Sequence, residues 1–347
     1  MIDKRNDLLE PIYFPVNRFE LGYYRNGVIH LFVSEGTFIF LILAIVSIAI
    51  YNTIKAGDGL NLQRIPWEKL ETDVSFLSQL FRNEFVFESG GVSKNLKKTC
   101  EDLAEDEVIK ISENQSLGKW VELSLKERKS GRETFDFYCF LLWPFLETYW
   151  LSAISLYTIM PPKDIKDAVW IIEDQFMSRS QFFGKTLYYQ GDVSYLESLN
   201  KETLKNGIER IKELGILLTC CGTEPPCIPI DSSMENISDI LQKHASHSTG
   251  YTCWLAVSPL WVTAQDFPDP APLLSSAKRK DFVLDEEVAQ GDLSHSQWSA
   301  IEPRGRLWEF CERLGSFRRE GKNRRDTATV ANRVLRLASL ASIRAKL

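Results

Sequence analysis

No charged residue occurs from Gly36 to Ile54, nineteen residues in all. Within this stretch, Phe38–Tyr51 is apolar in every direction except at Ser47, which predicts a helix with no solvated face. Nineteen residues is the short end of what a bilayer span needs. Two readings stay open: the central core helix of a helical domain, or a helix that dips into or spans a membrane. The next pattern is amphipathic. Trp67, Leu70, Val74, Leu77, Phe81 and Phe85 recur every three or four residues, with Pro66 suited to the first helical position and Gly90-Gly91 as the stop. A second helix is expected over Ser93–Ala104. Val108–Ser112 and Trp120–Leu125 then alternate around Asn114 and Gly118, the pattern of a small hairpin.

Phe135–Met160 is dense in aromatic residues and leucine, which predicts core or the wall of a lipid-facing groove, with Pro144 as a kink or break. Further helices are expected from Lys163 to about Tyr189 and from near Asn200 to Gly215, followed by a short strand at Ile216–Thr219. Two helices close the chain, one carried by Leu307, Phe310, Leu314 and Phe317, the other by Val330, Val334, Leu337 and Ala341. The expected fold class is mainly α, a multi-helix domain with a small β-hairpin. Residues 1–262 form the helical region, 263–302 a flexible Pro-containing loop, and 303–347 basic terminal helices.

Composition adds that 44% hydrophobic content with 25% charge belongs to a packed globular chain. Charge placement changes the picture more. Residues 303–347 hold twelve Lys/Arg against four acids, a net of +8, so the preceding 302 residues carry −14 of the overall −6. Seven scattered cysteines, with a charged Met1–Asp7 that lacks the apolar run of a secretory signal, point to a reducing compartment. The last three residues, Ala345-Lys346-Leu347, have the small–basic–Leu form of the peroxisomal address typified by Ser-Lys-Leu, which a soluble import receptor reads.

Candidate chemistry is sparse. No G-x-S-x-G elbow occurs, and Phe183-Gly184-Lys185-Thr186 lacks the first glycine of a phosphate loop. Cys220, Cys221, Cys227, His244 and His247 match no usual zinc spacing, and neighbouring cysteines point apart in a strand, so no metal is expected. The cluster Arg318, Arg319, Lys322, Arg324 and Arg325 is a candidate anion site, its guanidiniums suited to phosphate or carboxylate. The bland alternative is a solvated turn between helices. No recognition motif or aromatic groove accompanies the charge, so nucleic acid is not an expected partner.

At Gly22-Tyr23-Tyr24-Arg25-Asn26 and His30-Leu31-Phe32-Val33 the chain resembles the region that follows the catalytic domain in the glycerol-3-phosphate and dihydroxyacetone-phosphate acyltransferases. The resemblance continues through Pro144-Phe145-Leu146-Glu147-Thr148-Tyr149-Trp150 and Leu196–Leu214, and ends with Leu307-Trp308-Glu309-Phe310-Cys311 and Arg318–Asp326. It implies a helical C-terminal region. The terminal tripeptide selects the peroxisomal dihydroxyacetone-phosphate branch, which moves a fatty acyl group from acyl-CoA to the substrate hydroxyl at the start of ether-lipid synthesis.

The family's catalytic motif is H-x(4)-D, in which the histidine is general base. Here the fifth residues after His30, His244, His247 and His295 are Glu35, Thr249, Thr252 and Ala300. The phosphate-binding F-P-E-G-T stretch is absent too, so the resemblance transfers no catalytic residue. The expectation is the C-terminal portion of such an enzyme, from a truncated gene or a separately made piece, inactive alone and without a cofactor. Its expected partners are the catalytic domain, in cis or trans, the import receptor and anionic lipid. Acyl-CoA and dihydroxyacetone phosphate would bind only with the catalytic domain. Association with the lumenal side of the peroxisomal membrane is the expected location. The alternative is a non-catalytic helical adaptor of an acyltransferase or of that membrane.

Overall fold

The structure is a computed structural model that describes residues 2–5, 12–15, 37–56, 63–85, 91–114, 118–160, 167–247, 252–261 and 306–318. It forms two compact units, Met1–Pro144 and Phe145–Leu347. The fold is mainly α with small antiparallel sheets.

In the first unit, β1 (Ile2–Arg5) pairs antiparallel with β2 (Ile12–Pro15), Ile2 opposite Pro15. Helix α1 (Thr37–Ala56) follows, and every side chain from Ile42 to Ile50 is buried. It packs on α2 (Trp67–Leu80) and α3 (Val92–Glu105). Those helices bury Leu70, Val74 and Leu77, and Leu96, Cys100 and Leu103. The all-round apolar pattern is therefore the signature of a core helix in this unit, since each face meets protein.

Strands β3 (Arg64–Pro66), β4 (Ile109–Asn114) and β5 (Gly118–Leu123) form a sheet in the order β3-β5-β4. The hairpin is where the alternation places it. Its third strand escapes the pattern because three residues are too few to alternate. Pro66 ends this edge strand in extended geometry (φ −60°, ψ 143°) and caps α2 instead of opening it, as a residue with no N–H can. Helix α2 also stops at Leu80, well short of Gly90. A turn closed by N–H donation from Glu84 and Phe85 to the Phe81 carbonyl sets Phe85 edge-on to Phe81 at 6.3 Å, so the apolar rhythm outlasts the helix. Helix α4 (Leu125–Ser130) begins at a Ser124 cap, whose hydroxyl accepts from Glu127 N at 3.0 Å.

Helix α5 (Glu133–Ser155) runs unbroken through Pro144, where the chain passes from one unit to the other. Proline costs a helix about 3 kcal/mol. The burial of Trp143, Leu146, Tyr149 and Trp150 around it offsets that cost. The stretch Thr134–Ile159 is long and apolar enough to cross a membrane, and 83% of its most apolar window is buried within the protein, as in a core helix.

The second unit continues from Phe145 through a 3-10 turn at Leu156–Ile159, β6 (Ile171–Ile172), α6 (Glu173–Tyr189), a 3-10 turn at Leu196–Leu199 and α7 (Lys201–Glu213). Then come β7 (Leu217–Cys221), α8 (Met234–His247), β8 (Cys253–Val257), a 3-10 turn at Pro259–Trp261 and α9 (Arg306–Phe317). The sheet order is β6-β8-β7, all antiparallel. Helix α6 begins at Glu173 rather than near Lys163, because β-branched Ile171-Ile172 pair with Leu255 and Trp254. Lys212 ties the end of α7 to the start of α6, meeting Glu173 and Glu209 at 2.7 Å each. The expected loop 263–302, the expected Val330–Ala341 helix and the terminal tripeptide lie outside the described residues.

Candidate functional site

Glu147 is the one charged residue between Phe137 and Met160, and it is fully buried on α5. A carboxylate there must be hydrogen-bonded to remain. The turn that leads into the 3-10 segment after α6 supplies the donors. Ser194 N reaches Oε1 at 3.1 Å and Oε2 at 3.0 Å, and Tyr195 N reaches Oε2 at 3.1 Å. The Ser198 hydroxyl donates to Oε2 at 3.3 Å. The next residue, Thr148, donates its hydroxyl to the Ser198 carbonyl at 2.9 Å, fixing the same turn against α5.

The fourth donor comes from the far end of the chain. Arg318, directly after α9, is 3% exposed and places Nη2 3.4 Å from Glu147 Oε1. The same nitrogen donates to the Asp192 carbonyl. Its guanidinium lies 3.6 Å from the Trp150 ring centroid, a cation–π stack one helical turn from Glu147. Helix α9 brings it there by burying Leu307, Trp308, Cys311, Leu314 and Phe317, with Trp308 edge-on to Tyr157 at 6.4 Å.

Packing around this node is close. At Gly207 on α7 a Cβ would stand 2.9 Å from Ser152 Oγ, so an added methyl would force that hydroxyl to shift. Ser152 itself donates to the Thr148 carbonyl at 2.9 Å.

Chemically the node holds rather than reacts: both carboxylate oxygens are engaged by donors, and the guanidinium meets the protein's own carboxylate. Of the five basic residues grouped by sequence, Arg318 is thus inside the protein. Arg319, Lys322, Arg324 and Arg325 lie outside the described residues. Glu147 and Ser198 lie in blocks of the resemblance that assign them no role and Ser194 lies in none, although one acid in an otherwise apolar helix is itself a signal that a buried partner exists. Glu147, Ser198 and Arg318, which meet at this point, come from three separate blocks of the resemblance.

The family model for the glycerol-3-phosphate acyltransferase C-terminal region matches residues 1–220. The chain belongs to this family. The acyltransferase region so matched contains Glu147, Trp150, Ser194 and Ser198, whereas α9 and Arg318 lie beyond it. The chain is similar to dihydroxyacetone phosphate acyltransferase of Bos taurus, 25% identical over 142 residues, and of Homo sapiens, 24% identical over 142 residues. Each alignment covers 41% of this chain and 18% of the relative, so the chain aligns with under a fifth of the length of these curated proteins.

Proposed function

We propose that this chain is the C-terminal helical portion of an acyl-CoA-dependent dihydroxyacetone-phosphate O-acyltransferase of ether-lipid and glycerolipid synthesis, working with a catalytic H-x(4)-D domain supplied in cis or in trans. The observation that carries the reading is the family match over residues 1–220, joined by two relatives named for that activity. The Ala345-Lys346-Leu347 terminus supports a peroxisomal location.

The test is acyl transfer from acyl-CoA to dihydroxyacetone phosphate, measured with the purified chain, with a separately made catalytic domain, and with both. The expected result is no turnover by the chain alone, binding between the two, and turnover in the mixture above that of the catalytic domain by itself. Turnover by the chain alone would overturn the assigned role, as would failure to bind the domain. An adaptor is the second reading, favoured by the lack of any His followed five residues later by Asp. It predicts binding with the catalytic domain's turnover altered but not dependent on the chain.

In this reading Arg319, Lys322, Arg324 and Arg325 attract anionic lipid headgroups or substrate phosphate. Neutralising these four is expected to weaken binding to anionic vesicles at low salt, with the difference shrinking as ionic strength rises. Arg318 must be left intact in that experiment, because its loss would disturb the fold. Equal binding by the two proteins at low salt would leave the cluster as a solvated turn.

A further inference from the structure

Cys221 and Cys253 face each other across β7 and β8, with Sγ atoms 2.9 Å apart. Cys221 is exposed and Cys253 half-buried. Their place in the ladder favours this closeness. Gly222 N donates to Thr252 O at 3.0 Å, and Ser258 N to Ile216 O at 2.8 Å, marking 222/252 and 216/258 as hydrogen-bonded positions. Antiparallel pairs alternate, so Cys221 and Cys253 occupy a non-hydrogen-bonded position, where opposed Cα atoms are about 4.5 Å apart and side chains are closest. That separation lies inside the roughly 4.4–6.8 Å range that a disulfide bridges without backbone movement.

The other described thiols are placed differently. Cys100, Cys139, Cys220 and Cys311 are buried; burial pushes Cys100 up to about 12, Cys220 up to about 11, and Cys139 well above the ordinary thiol value. Cys227 is exposed but has Asp167 beside it, and hydrogen bonding to that carboxylate raises it. Cys253 is held up at about 11, first by its hydrogen bond with Cys221 and then by burial. Cys221 is therefore the solvent-facing sulfur of a pair whose second member is already in reach.

We infer that Cys221 and Cys253 form a reversible redox-modification site, a dithiol with one exposed sulfur that hydrogen peroxide converts to a cross-strand disulfide. The Cys221 sulfur attacks one peroxide oxygen, breaking the O–O bond, to give a sulfenic acid and one water. The Cys253 sulfur then attacks that sulfenic sulfur, and the S–S bond forms as the hydroxyl leaves as a second water. The two sulfurs together lose two electrons, the peroxide gains them, and both thiol protons end in water. A dithiol reductant reverses the change by exchange. The bond would tie together the ends of the excursion over residues 222–252, which contains α8, and so stiffen that part of the unit. Neither cysteine lies within the family-matched residues 1–220, and the inference stands apart from the proposed acyltransferase role.

The experiment treats the reduced, purified chain with limiting hydrogen peroxide, alkylates before unfolding, and maps cysteine peptides without reduction. The expected result is that Cys221 and Cys253 disappear together from the alkylated pool, ahead of Cys227, and return as one linked peptide that dithiothreitol splits. The oxidised protein should also melt higher, by on the order of 5 °C or more. In a Cys253→Ser variant, dimedone should trap Cys221 as its sulfenic acid, whereas little is trapped in the parent. Cys227 reacting first, linkage of Cys221 between molecules, or survival of both thiols would overturn the inference. Mapping of the unsubstituted chain alone decides this if the variant does not fold.

Discussion

Glu147→Ala is expected to destabilise the second unit by about 3–5 kcal/mol, the range found when one partner of a buried ion pair is removed. The substitution strips the backbone N–H groups of Ser194 and Tyr195 and the Ser198 hydroxyl of their acceptor. It also takes the carboxylate partner from the buried Arg318 guanidinium, which keeps the Asp192 carbonyl and the Trp150 face. Glu147→Gln keeps the shape but turns an amide NH2 toward some of these donors, so it should cost about 1–3 kcal/mol. Because the chain forms two units, hydrogen exchange read peptide by peptide is the suitable measurement. Protection should fall at 194–200 and 306–317 first. Unchanged protection there after Glu147→Ala would show that Arg318 does not hold α9 in place.

Ile48→Asp is the second large effect, in the first unit. Ile48 is fully buried in α1, between neighbours Ile45, Val46, Ala49 and Ile50 that are fully buried as well. Between Ile42 and Ile50 only the Ser47 hydroxyl could donate from a side chain, and burying a carboxyl group there costs several kcal/mol whether it stays charged or takes up a proton. Exchange protection in α2 and α3, which pack on α1, should collapse toward that of an open chain. Leu125→Asp is the matched control, a 72% exposed side chain at the start of α4 where a carboxylate suits the helix N-terminus. Its effect should stay within about 0.5 kcal/mol. A loss below about 1 kcal/mol for Ile48→Asp would remove α1 from the core.

Several elements were legible before any tertiary contact was known, because local rules suffice for them. Val92–Glu105 and Lys201–Glu213 carry a one-sided apolar stripe, and the latter starts at an Asn200 cap that accepts from Glu202 N. The β4–β5 hairpin announces itself by alternation and by Gly118, whose φ of +70° suits the turn. Helix α8 did not announce itself, since most of its side chains face water and Ile237 is its one buried apolar residue. Strand β8 reads as an unpatterned apolar run, because Leu255, Ala256 and Val257 are buried whichever way they point.

The candidate site divides along the same line. The sequence by itself determined that the chain is helical, that its family is that of the acyltransferases, and that its basic charge gathers in the last 45 residues. Those properties reside in local spacing and residue type. Only the tertiary structure decided that Arg318 turns inward to Glu147 while sharing a sequence cluster with Arg319, and that Cys221 finds Cys253 rather than Cys220. Partners separated by 171 and 32 residues are chosen by helix docking and strand register, and neither is encoded in the neighbours of the residues that meet.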